Sequence, residues 1–256
     1  MTPALGPEQL EGYLERIDYR GDRLPSSRTL AALHTSHMLT VPFENLDIVV
    51  TGRHIDLSLD AIYEKIVERR RGGFCYEHNG LFAAALVAMG FDVTMHSARV
   101  HMPDGRITPE FDHLTLRVDL NDERWLADVG FGDSFLQPLR LVADLEQSDG
   151  RSLYRLDREG EDWVLLKQEQ GRWTPLYRFT EKEHPLAAFR PRCDWLQSSP
   201  DSTFIQRFVC SRATTKGRIT LTAQELVETV GTTKRKIPAP EAERTDLLRR
   251  HFGISL

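Results

Sequence analysis

The feature that most limits the fold is a change of period near Phe91. Before it, apolar residues recur every three or four positions; after it, they alternate with polar ones. PEQLEGYLERI carries Leu10, Tyr13, Leu14 and Ile17 as the stripe of an amphipathic helix. SSRTLAALHTSHM opens with Ser26 or Ser27 as an N-cap, and LDAIYEKIVERRR sets Ile62, Ile66 and Val67 on one face. The apolar run LFAAALVAMG makes a fourth helix closed by Gly90, while Pro42 argues against helix in TVPFENLDIVV. Beyond Phe91, FDVTMHSARVHM, HLTLRVDL and RWLADVG read as strands with a turn at Asn121-Asp122. SLYRLDREGEDWVLLKQEQGRWTPLYRFT gives three more, broken at Gly160 and Gly171. Hairpins in succession predict an antiparallel sheet or barrel. Past about residue 190 the pattern mixes, with GRITLTAQ as a strand and PEAERTDLLRRHF as a last helix with Pro240 near its start. The expected fold is α+β, and a cleft is expected where the helical part meets the β part.

Charge and composition exclude several functions. The formal net charge is −5, with 33 basic and 38 acidic side chains interspersed, so there is no footprint for nucleic acid. The short runs Arg69 to Arg71 and Lys234 to Lys236 read as solvated surface. The first residues lack a basic leader and an apolar core, so no secretory signal is expected. The longest apolar run, near Leu81 to Phe91, is too short to span a bilayer, and no membrane partner is expected. Cys75, Cys193 and Cys210 form no CxxC pair, and none of the 9 histidines stands at zinc-site spacing. No metal is expected, and reduced thiols in a cytoplasm are the simplest reading.

Cys75 is the cysteine whose setting invites chemistry. It follows RRRGGF where a glycine loop turns into the fourth helix. A lone cysteine beside an apolar helix is most often a small buried hydrophobe. At a helix N-terminus, however, unpaired N–H groups and aligned peptide dipoles favour a thiolate. Gly72 and Gly73 also permit close approach of a substrate. A nucleophile needs a base. In DHLTLRVDL, Leu114, Leu116 and Val118 alternate with His113, Thr115 and Arg117, so His113 points away from the leucine face. In RWLADVGFG, Asp128 sits among apolar neighbours and needs a partner. With Asn121 to Arg124 as the turn, Arg117 stands opposite Asp128, and His113 lies about 13 Å along the strand. Direct pairing of His113 with Asp128 requires a turn nearer Leu120-Asn121, or a bulge.

Several stretches together resemble one family, the arylamine N-acetyltransferases. They are VPFENLD (Val41 to Asp47), RRGGFCYEHNGLF (Arg70 to Phe82), the histidine opening HLTLRV, and DVGFG (Asp128 to Gly132). WLQSSPDSTF and the final FGISL match more weakly. The resemblance implies a helical bundle over 1–90 carrying the nucleophile, a β-barrel over 91–190 carrying His and Asp, and an α/β lid over 191–256. That is a cysteine-protease-like catalytic core with a Cys75–His113–Asp128 triad. It implies ping-pong acetyl transfer from acetyl-CoA, a co-substrate and not a bound cofactor, to an arylamine or arylhydrazine. Phe43 and Phe131 are the implied acceptor contacts, and Gly132, Trp195 and Ser202 the implied CoA contacts. Glu44 and Arg71 are expected to pair behind the cysteine. The chain is expected to act as a monomer or weak homo-oligomer. Two departures stand out: the loop after GFG is short and acidic, and the sequence ends at FGISL where relatives usually continue. The same triad also serves amide synthesis or thiol hydrolysis on bulkier substrates, and an inert structural cysteine is the non-enzymatic reading.

Overall fold

The structure, a computed structural model, describes residues 2–256. Four helices come first: α1 (Pro7–Arg16), α2 (Ser27–Thr40), α3 (Leu59–Tyr63) and α4 (Cys75–Ala88). Ser26 caps α2 by accepting the Thr29 N–H at 3.0 Å, one of the two expected serines. The third expected helix is shorter than its pattern. α3 ends at Tyr63 and passes into a π-helical turn, Glu64–Glu68, with Ile62 and Ile66 still fully buried. Helix α4 is buried almost all round, as its apolar sequence requires, and Gly90 ends the segment at φ +89°.

Eight antiparallel strands then form a nearly closed barrel. In chain order they are β2 (Asp92–Val100), β3 (His113–Leu120), β4 (Glu123–Ala127), β5 (Leu139–Arg140), β6 (Gln147–Ser148), β7 (Leu153–Glu159), β8 (Asp162–Glu169) and β9 (Arg172–Glu183). β1 is the two-residue strand Phe43–Glu44, in the stretch that Pro42 keeps from being helix. The barrel order is β5-β4-β3-β2-β9-β8-β7-β6. Bulges at His96/Ala98 and Leu165/Leu166 add the bend that closure needs. Between the edge strands, the Gln147 amide bonds both backbone groups of Arg140, at 2.7 and 2.9 Å, in place of a ladder. The turns at Gly160 and Gly171, both at positive φ, fall where the sequence sets them.

The remaining residues form a five-stranded sheet and three short helices. The sheet contains β10 (Val209–Thr214), β11 (Gly217–Thr222), β12 (Glu225–Val230) and β13 (Thr233–Pro238), of which the sequence pattern announces only β11. Its outer strand on the other side is β1, paired Phe43↔Ser211 and Glu44↔Cys210. Helices α5 (Arg190–Ser198) and α6 (Thr203–Gln206) connect barrel to sheet, and α7 (Arg244–Phe252) covers the sheet. The α+β order expected from the change of period is the order found. No helix among the described residues is long and apolar enough to cross a membrane.

Candidate active site

The site begins with how α4 starts. Gly72 lies so close to the Pro42 carbonyl that no Cβ fits there. The Phe74 N–H donates to Glu77 Oε2 at 3.0 Å, capping the helix from its own first turn. Glu77 in turn holds Lys65 at 2.8 Å, Lys65 holds Asp47 at 2.8 Å, and Arg71 bonds Asp47 at 3.1 Å and Glu44 at 2.8 Å. All five are buried. The expected Glu44–Arg71 pair is therefore one edge of a larger buried network behind Cys75, and it fixes the loop that delivers the thiol.

His113 and Asp128 meet across the β3–β4 hairpin. The turn is the two residues Asn121-Asp122, with Leu120 opposite Glu123 and Leu116 opposite Ala127. A four-residue turn through Arg124 is thus incorrect. One step past the last paired residues, Asp128 faces Thr115, and His113 is its diagonal neighbour on the same face. The His113 Nε2–H donates to Asp128 Oδ2 at 2.7 Å, both side chains being buried. Nδ1 is then the acceptor nitrogen, and it takes no hydrogen bond from the described residues. Burial alone raises the Asp128 carboxyl, but His113, the Asn79 amide and the Gly130 N–H together hold it below its ordinary value. His113 projects into the barrel, where Phe131 and Tyr177 pack on its ring at 5.0 and 5.1 Å between centroids.

Cys75 is 4 % exposed and lies under Gly130, whose Cα approaches the Cys75 backbone too closely for a side chain. A standing thiolate is not what this setting favours. Burial pushes the thiol well up, and the Asp112 and Asp128 carboxylates push the same way, opposed by the Leu114 backbone N–H. Cys193 and Cys210 are buried core thiols, and burial raises both.

The other anticipated residues divide. Phe43 lies parallel to His78 and packs on Phe204 at 6.2 Å. Phe43 and Gly132 line one cavity of about 10 Å³, together with Met38, Val41, Val129, Arg218 and others, room for about one water. Gly132 is at φ +62° with open space where a Cβ would be. Trp195 is 37 % exposed, with the Arg192 guanidinium 3.9 Å over its ring. Arg192 also bonds Asp112, the neighbour of His113, at 2.6 Å. Ser202 is buried, and its hydroxyl is committed internally: it donates to Leu196 O at 2.5 Å and caps α6 through Phe204 N. A larger hollow of about 400 Å³, walled by Glu11, Glu15, Asp18 and Tyr19, touches none of these residues.

Comparison with known proteins decides the family. A family model described as N-acetyltransferase matches residues 27–256. The arylamine N-acetyltransferase of Escherichia coli K12 is 38% identical over 224 residues, 87% of this chain and 78% of that protein. The solved Salmonella typhimurium arylamine N-acetyltransferase superposes with a TM-score of 0.91 at 32% identity, covering 98% of this chain and 92% of that one. The Mycobacterium marinum arylamine N-acetyltransferase, solved in complex with CoA, superposes at 0.89 with 33% identity, 96% and 92% being covered. The chain belongs to the arylamine N-acetyltransferase family. It is an acyltransferase, and three residues of this arylamine N-acetyltransferase fold escape a reading of the sequence. Asn79 donates to Leu114 O and Asp128 Oδ1 and accepts from Val129 N. His34 accepts the Asp128 N–H through Nε2 and donates through Nδ1 to Leu136 O. Tyr177 packs on the rings of both His113 and Phe131. For Asn79 a signal existed: a polar amide four residues after Cys75 on a helix apolar all round must find buried partners.

Proposed function

We propose that this chain acetylates arylamines and arylhydrazines from acetyl-CoA by a ping-pong route through an acetyl thioester on Cys75. The observation that carries the reading is the buried His113–Asp128 pair at 2.7 Å, which leaves His113 Nδ1 as the acceptor nitrogen of the ring, while Cys75 opens the first turn of α4. In the first half, the Cys75 proton passes to Nδ1 as Sγ attacks the acetyl carbonyl, and Asp128 stabilises the imidazolium. The carbon–sulfur bond to CoA breaks, and the leaving thiolate takes the proton back. In the second half, the amine nitrogen attacks the acetyl carbon, His113 accepts its proton, and Cys75 leaves as the sulfur. Backbone N–H groups around Cys75 stabilise the oxyanion in each half.

Because burial disfavours an isolated thiolate, charge forms on sulfur only as it forms on imidazole. Phe43 and Phe131 are proposed to flank the acceptor ring. CoA is proposed to run past Gly132 and Trp195, with Ser202 acting through the cap of α6, which sets Phe204 against Phe43. The test is intact-mass analysis after mixing with acetyl-CoA and no amine. One acetyl adduct, located on Cys75 and absent from Cys75→Ser, is expected. Product formation without any adduct would replace this scheme by direct transfer in a ternary complex.

A further inference from the structure

We propose that Phe111, held in a left-handed backbone conformation by Tyr76 and Ser97, is a positioning residue that aims the base His113 for its proton exchange with Cys75. The inference rests on the acyl-transfer reading above and adds to it the device that orients the base. Six non-glycine residues among the described ones have positive φ, and Phe111, at +66°, is the only aromatic. A bulky residue at such an angle is strained, and the strain persists only where the surroundings impose it. His113 is the first residue of β3, so its placement depends on the turn at Glu110 and Phe111 just before it.

Both backbone groups of Phe111 are held by side chains of other elements. Its carbonyl accepts the Tyr76 O–H at 2.5 Å, from the first turn of α4. Its N–H donates to Ser97 Oγ on β2 at 2.7 Å, and the Ser97 O–H donates onward to Glu110 Oε2 at 2.6 Å. The ring packs edge-to-face on His184 and Phe189, at 4.8 and 5.2 Å between centroids. The residues that follow are held as well. Arg192 bonds Asp112 at 2.6 Å, His113 pairs with Ala98 of β2, and Asn79 bonds Leu114 O at 2.6 Å. Tyr76 thus ties the residue after the thiol to the residue two before the imidazole. Neither Tyr76 nor Phe111 needs to touch a substrate for this effect. They fix the direction in which the chain enters β3, and small errors in the placing of a reacting group are costly in rate.

Glycine takes a left-handed backbone freely and alanine does not, yet both lack the ring. The measurement is stopped-flow release of CoA thiol with acetyl-CoA and amine both present. Phe111→Gly should outpace Phe111→Ala by at least about fivefold. In an ordinary segment glycine is the more damaging of the two, so a merely structural role predicts the opposite sign. Tyr76→Phe removes one hydroxyl and keeps the ring. It should lower the maximal rate about tenfold and leave the half-saturating acetyl-CoA concentration unchanged. In a Phe111→Gly background the same change should cost under about threefold, since glycine needs no tether. Alanine as fast as glycine, or an equal cost of Tyr76→Phe in both backgrounds, overturns the proposal. If the Phe111 variants do not fold, Tyr76→Phe alone decides: a wild-type rate overturns the proposal, and the tenfold loss supports it. The wild-type adduct experiment is read separately. An acetyl-Cys75 adduct with alanine as fast as glycine sinks only this inference, and glycine ahead of alanine without an adduct sinks only the covalent route.

Discussion

Asn79 stands one helical turn beyond Cys75 and commits its whole amide to the opposing strands, through bonds of 2.6, 2.8 and 2.9 Å. It is the side chain that ties the helix of Cys75 to the Asp128 carboxylate that His113 bonds. Asn79→Ala leaves Leu114 O and Val129 N buried without partners, at about 1–3 kcal/mol for each such group. We expect a lower Tm and a slower acetylation half-reaction, about 10–100-fold, read by stopped-flow release of CoA thiol. An unchanged rate in a folded variant contradicts the positioning role. Cys75 gives a second expectation at this scale. All three thiols are raised by burial, yet in the proposed scheme Cys75 alone is served by an imidazole that takes its proton. Iodoacetamide near neutral pH should label Cys75 well ahead of Cys193 and Cys210. Acetyl-CoA should protect it, and His113→Ala should remove its lead. Equal, slow labelling of all three speaks against catalysis at Cys75.

Elements carry the argument from residues to the site. The turn before α4 rests on the network of Glu44, Asp47, Lys65, Arg71 and Glu77. Among the described residues, Lys65→Met strips the only basic partner that Glu77 has and one of the two that Asp47 has, leaving buried carboxylate charge uncompensated. A loss of roughly 3–5 kcal/mol is expected, read from urea midpoints; a loss under about 1 kcal/mol shows the network to be dispensable. Much of this level was legible beforehand. The helix stripes, the Gly90 stop, the turns at Gly160 and Gly171 and the Asn121-Asp122 turn signal all follow from local chemistry. Where the sequence fell short, long-range pairing decided the outcome. Turn residues mark where a hairpin bends but do not say whether two or four of them are unpaired, and that difference shifts His113 along Asp128's strand by two residues. Likewise Phe43–Glu44 reads only as a break in helix, because its strand partner lies at Ser211 and Cys210. Of the network, only Glu44–Arg71 was foreseen, since spacing does not reveal which distant carboxylates converge on one cation.

On the scale of the whole molecule, buried neutral histidines set the response to acid. Burial lowers His34, His78 and His96 to about 4 each and holds His37 well below its ordinary value. Their unfolded counterparts bind protons near the ordinary 6.5, so as the pH falls below that value the unfolded chain holds up to four more protons on these rings than the folded one. Stability is therefore full above about pH 6.5 and falls as pH drops towards 4. Asp128, held below its ordinary value, extends the loss further into acid. Urea midpoints at intervals from pH 7 to 4 should fall continuously; a flat profile over that range contradicts the neutral state of these rings.

The seam where Phe43–Glu44 joins Ser211–Cys210 also bears on synthesis. One wall of the proposed acceptor cleft, at Phe43, is made early in translation, but the strand that pairs with it emerges only near the end. A nascent chain long enough to contain Cys75, His113 and Asp128 thus still lacks a finished cleft. Ribosome-bound intermediates that stop before β10 should remain inert towards acetyl donors, and competence should arrive late and in one step.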